Sequence, residues 1–160
     1  MPYGIQPGAT AQSSLVLGHQ QQRGPRYSRR MTLVLQIEGA AIDDIASLYT
    51  EINRVFMAGE AWQLGPSLDA LDDLLHGGYG ALAGHAQATL IWRDIAHSRA
   101  ALGVEATCQW LQAKLDAPGS FNARAIARRL QAVRQGEGPT YFEIVMQIFD
   151  SHRQITLVPA

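Results

Sequence analysis

The chain has 160 residues, 47% of them hydrophobic and 17% charged, a balance that suits a folded globular domain and argues against a disordered one. Its formal net charge is −1, and no uninterrupted apolar run approaches the roughly 18 residues of a membrane-spanning helix. One cysteine, Cys108, excludes an internal disulfide, and with no secretory pattern at the N-terminus the expected home is the cytoplasm.

The near-zero total hides a segregation. Residues 1–30 hold four Arg and no acid, residues 31–92 hold eight acids against Arg54 alone, and residues 93–160 hold eight basic and six acidic residues. An acidic half repels nucleic-acid phosphates and attracts cationic partners.

In chain order, residues 1–30 are rich in Gly, Gln, Ser and Arg, with no sustained period, and read as a disordered tail. Met31 opens the patterned part, so translation is expected to start naturally there; a basic RNA-binding arm is the functional alternative for the tail. "TLVLQIEG" (32–39) predicts a strand with a turn at Gly39. Ile45, Leu48, Ile52 and Val55 predict an amphipathic helix ending near Gly59. The loop "GEAWQLGP" leads to a short helix over 68–76, and "ATLIWRDI" (88–95) reads as a buried strand. Val104, Cys108, Leu111 and Leu115 mark a helix, as do Ile126, Leu130 and Val133. Phe142, Val145, Met146 and Phe149 mark the last helix, and "QITLVPA" (154–160) closes as a strand. Strands separated by helices favour parallel pairing through crossovers, so the expected fold is one α/β domain over 31–160, with a small three-stranded parallel sheet and helices packed against it.

The short helix carries the chemistry. On a wheel with Leu68 at 0°, Leu71, Leu74 and Leu75 fall at about 300°, 240° and 340°, while Asp69, Asp73 and His76 fall at about 100°, 140° and 80°. Asp72 lies on the flank. Ser67 is placed to cap the N-terminus and Gly77 or Gly78 to end the helix. An acid in the first turn satisfies the helix dipole, which explains Asp69. It does not explain Asp73, because like charges one turn apart repel and no Lys or Arg occurs from Val55 to Trp92.

"GPSLDALDDLL" resembles the hallmark of the barstar family of ribonuclease inhibitors, in which a Gly and a short spacer precede Leu-Asp-Ala-Leu and a second Asp one turn later. "TLIWRDI" resembles the family's central strand, and "VMQIFDSHRQITLVPA" its last helix and closing strand. The resemblance implies a barstar-like fold with residues 103–137 as a helical insertion. It also implies a non-enzymatic inhibitor whose acidic helix and adjoining loop plug a basic ribonuclease active site. Asp73 aligns with the family's key inhibitory aspartate and Asp69 with its partner; Gly65, Ser67 and Leu68 align with the loop that packs over the enzyme. Trp62 stands near the family's aromatic before the glycine, and Tyr79 near one expected after the helix. Ser67 departs from a typical Asn, Asp72 stands where barstar has a Trp, and Glu137 is only a loose substitute for an acidic contact in the later loop. The implied protein is a monomeric immunity-type inhibitor of a barnase-like or toxin nuclease, with no cofactor, nucleic acid or membrane partner.

Two other readings share this face. A regulatory module could use it to bind a basic non-nuclease protein, and a small hydrolase could use Asp73 with His76 if both lined a pocket. "GGYGALAGHA" lacks the strand-to-helix setting of a dinucleotide turn. The five His show no metal-ligand spacing and Cys108 lies on an apolar stripe, so no metal or catalytic thiol is expected. Arg124, Arg128 and Arg129 read as the solvated face of an ordinary amphipathic helix, and Trp92 and Trp110 as packing residues.

Overall fold

The computed structural model describes residues 32–117, 119 and 122–160; the expected tail and the start at Met31 lie outside them. Strand β1 (Leu33–Glu38) is followed by α1 (Ile45–Phe56) and α2 (Leu68–Leu75). Strand β2 (Ala88–Arg93) leads directly into α3 (Ile95–Ala101). Helices α4 (Val104–Asp116), α5 (Ala123–Arg134) and α6 (Tyr141–Ser151) precede β3 (Ile155–Pro159). The sheet order is β1-β2-β3 and both pairs are parallel, with Ile37 opposite Trp92 and Ala88 opposite Ile155. This is the expected three-stranded α/β architecture.

Alternation along each strand decides which face is covered. Ile37, Ala88, Leu90, Trp92 and Ile155 are buried beneath the helices, and Val34 and Val158 are exposed on the opposite face. Strand β2 is thus buried in alternation, with Thr89 and Ile91 only half-buried, rather than along its whole apolar run. Leu48, Ile52 and Phe56 of α1, Leu71, Leu74 and Leu75 of α2, and Phe142, Val145 and Phe149 of α6 complete one core. Each fully buried side chain of this size is worth about 1.5–3 kcal/mol.

Helix α3 has no counterpart among the predicted elements, and Ile95 belongs to it rather than to the strand. The chain enters it through Asp94 in the left-handed region, at φ 46°. Its buried residue is polar: Ser98 Oγ accepts from Trp92 Nε1 at 3.0 Å and donates to the Gly39 carbonyl at 3.2 Å. Gly39 is obligatory there, because a Cβ on it would stand 2.2 Å from the Arg93 carbonyl oxygen. Helix α1 stops at Phe56, earlier than expected, with Met57 as its C-cap.

Helices α4 and α5 pack as a hairpin around Leu111, Leu130 and Val133, with Cys108 packed against them. Val104 is exposed and lies off this small core. Thr107 docks the hairpin: its Oγ1 donates to the Gly103 carbonyl at 2.6 Å and accepts from Tyr141 N–H at 2.7 Å. Trp110 packs edge-on against Tyr141, with Lys114 and Arg129 over its ring at 4.5 and 5.5 Å. Arg129 therefore has a structural use that the solvated-face reading did not include.

Candidate functional site

Helix α2 is built as the wheel requires. Leu71, Leu74 and Leu75 are fully buried, and Asp69 and Asp73 are exposed. Ser67 caps the helix, its Oγ accepting from Ala70 N–H at 3.1 Å. Gly77, with φ +80°, ends it, and its N–H donates to the Leu74 carbonyl at 3.0 Å. Asp69 sits in the first turn, where the helix dipole favours it. Asp73 lies one turn on, about 6 Å along the axis. Among the described residues no Lys, Arg or His nitrogen approaches either carboxylate within 4.0 Å.

The third acid has a different fate. Asp72 Oδ1 accepts from His152 Nε2 at 2.7 Å, although its side chain remains 45% exposed. His76 turns its Nδ1 to the Asp72 carbonyl at 2.9 Å and packs edge-on against His152. The structure therefore does not bring His76 to Asp73 as an acid–base pair.

The loop before α2 is fastened to α1. Asn53 Oδ1 accepts from Leu64 N–H at 2.7 Å, and its Nδ2 donates to the Leu64 carbonyl at 3.1 Å and the Tyr49 carbonyl at 2.9 Å. Buried Leu64 anchors the loop, and a tight turn follows in which Ser67 N–H donates to the Gly65 carbonyl at 2.9 Å. Gly65 and Ser67 are exposed, whereas Leu68 is half-buried against the core. Glu60 Oε1 accepts from Gly80 N–H at 2.9 Å, tying this loop to the segment after α2. Across that tie Trp62, 48% exposed, meets Tyr79 with ring centroids 5.0 Å apart. Burial, and then the negative charge of Asp73, push the Tyr79 hydroxyl pKa up. Trp62 and Tyr79 thus pack together from the two loops that flank α2, the helix that exposes Asp73 and Asp69.

Asn53 and Glu60 are the positioning residues that the sequence reading missed. The signal for Asn53 was a polar residue beside Ile52 on the covered side of an amphipathic helix. A groove of about 750 Å³ runs between α1 and the loop, lined by Tyr49, Asn53, Met57, Trp62 and Leu64 among others, and neither Asp73 nor His76 lines it. Among the described residues no helix is long and apolar enough to cross a membrane.

The chain matches the family model described as Barstar (barnase inhibitor) over residues 32–121. The matched span runs from β1 through α4, and so includes α2 and both flanking loops. No curated protein matches the chain.

Proposed function

The chain belongs to the barstar family, and from that premise we propose that it inhibits a ribonuclease by seating α2 and its flanking loops in the enzyme's basic active site. The observation that carries this reading is the exposed pair Asp69 and Asp73, which no described cation neutralises. A ribonuclease site must attract phosphate, so it presents Arg, Lys and His. Two carboxylates on a rigid helix can take the phosphate's place and form charge-assisted hydrogen bonds. Buried leucines and the Ser67 cap hold the helix, so little conformational freedom is lost on binding.

Asp73 is assigned the central contact and Asp69 a supporting one. Trp62 and Tyr79 supply the aromatic surface that interface centres favour, and Gly65 and Ser67 bring the loop backbone close to the enzyme. Leu68 and Asp72 contribute at the margin, since each is partly engaged within the fold. The protein acts without cofactor or catalysis of its own, as a cytoplasmic monomer. The α4–α5 hairpin, of which only α5 lies beyond the matched residues 32–121, is assigned no part in the inhibitory edge. Titration of the protein against a barnase-type ribonuclease, with residual RNA cleavage as readout, tests the proposal. Stoichiometric inhibition supports it, and undiminished cleavage by this and by co-encoded basic nucleases overturns it.

A further inference from the structure

Helix α2 ends against the connection between α6 and β3, and three side chains from distant segments converge there. Asp72 and His76 stand one turn apart at the end of α2, and His152 is the C-cap of α6. One potential ligand atom from each lies within 4.8 Å of the other two. We propose that Asp72, His76 and His152 form a binding site for a divalent transition-metal ion, with zinc as the ion best suited. The proposal does not depend on what the acidic face of α2 binds.

The donor set selects the ion class. Two imidazole nitrogens and one carboxylate oxygen suit Zn²⁺, whereas Mg²⁺ and Ca²⁺ require mainly oxygen and Cu(I) prefers thiolate or thioether. Zinc also accepts three protein ligands with a fourth position left to water or an incoming group. Exposed His76 brings the cluster to the surface, so an ion has a route in.

The hydrogen bonds fix how each residue would bind. A carbonyl only accepts, so the 2.9 Å contact from His76 Nδ1 to the Asp72 carbonyl puts the proton on Nδ1. That leaves the Nε2 lone pair free, with the second nitrogen held as metal-binding imidazoles usually are. His152 is 6% exposed and its Nε2 points at Asp72 Oδ1. An ion there takes the place of the proton between them. His152 then carries its proton on Nδ1, which costs the long 3.5 Å contact with Gln154 Nε2. Gln154 keeps its 2.7 Å bond to the Leu75 carbonyl, which holds the two segments together.

The adjustment is small. Ligand atoms around a tetrahedral zinc stand about 3.3–3.5 Å apart, given bonds of about 2.0–2.2 Å. The Asp72–His152 contact of 2.7 Å must open slightly, and the widest separation in the cluster, 4.8 Å at most, must close. A small shift of the exposed His76 ring that keeps its Nδ1 bond to the Asp72 carbonyl supplies the larger movement. The bound ion would staple the end of α2 to the α6–β3 connection.

Calorimetric titration of the chelator-stripped full chain with zinc tests this. One saturable equivalent is expected, weakened at least about tenfold in His76→Ala and in Asp72→Asn. His97→Ala serves as control, because His97 and Asp43 form a separate exposed pair at 2.9 Å. Both ligand variants alter partly exposed side chains, and circular dichroism confirms that each is folded. Absence of saturable binding, or equal affinity in the wild type and both ligand variants, overturns the site.

Discussion

The amide of Asn53 binds both backbone groups of Leu64, accepting its N–H at 2.7 Å and donating to its carbonyl at 3.1 Å. One side chain on α1 thereby holds the loop that delivers Trp62, Gly65 and Ser67 to the acidic helix. Replacing it by Ala strands a loop N–H and carbonyl, so Asn53→Ala should destabilise the fold by about 1–3 kcal/mol in urea unfolding. It should also weaken partner binding, although Asn53 need not touch the partner. Unchanged stability would mean that the loop is held by other contacts.

Gly39 admits no side chain where the β1 turn passes beneath Asp94. A Cβ would stand 2.2 Å from the Arg93 carbonyl oxygen and 2.6 Å from that of Asp94. Gly39→Ala should therefore cost about 1–3 kcal/mol, the usual range for overpacking, and lower the thermal midpoint by several degrees. Gly59→Ala, where nothing lies within 4 Å of the added carbon, is the matched control and should leave the midpoint close to wild type.

Glu51 is a buried carboxylate that accepts from Arg54 at 2.6 and 2.8 Å and from Glu38 N–H at 2.7 Å. The bond from Arg54 is the main cause that holds its pKa below the ordinary 4.5. The unfolded chain then binds this proton more tightly than the folded one. Its stabilisation is full above the unfolded value and is lost as pH falls through the lower, folded value. Glu51→Gln should reduce stability at neutral pH by about 1 kcal/mol or more and flatten the acid limb below pH about 4.5. Equal loss at pH 7 and pH 3 would contradict the assignment.

Residues 31–92 carry eight acids against Arg54 alone, so approach to a basic enzyme should be steered by charge. Stopped-flow association should slow as salt rises from low ionic strength to about 0.15 M, where screening extends only about 8 Å. Dissociation should change less. A rate indifferent to salt would argue that the acidic face does not lead the encounter.

The parts legible in the sequence were those encoded by local period. Alternation in "TLVLQIE" and the leucine spacing in "LDALDDLL" placed β1, α2 and the division of Asp69 and Asp73 from the core. Helix α3 escaped because its buried anchor is Ser98, a polar residue whose burial is intelligible only once Trp92 and Gly39 are beside it. Asp72 escaped in the same way: on a wheel it is a flank residue, and its partner His152 stands 80 positions later. The loop ties from Asn53 and Glu60 are likewise contacts that the fold makes and no short window contains.

The most direct measurement compares inhibition of a barnase-type ribonuclease by the wild type, Asp73→Ala and Asp72→Ala. Asp73→Ala should weaken binding by about 30-fold or more, the cost of truncating one partner of a buried charge pair. Asp72→Ala should have a markedly smaller effect, because that carboxylate is engaged with His152. A wild type that inhibits tightly while Asp73→Ala inhibits equally well would contradict the account.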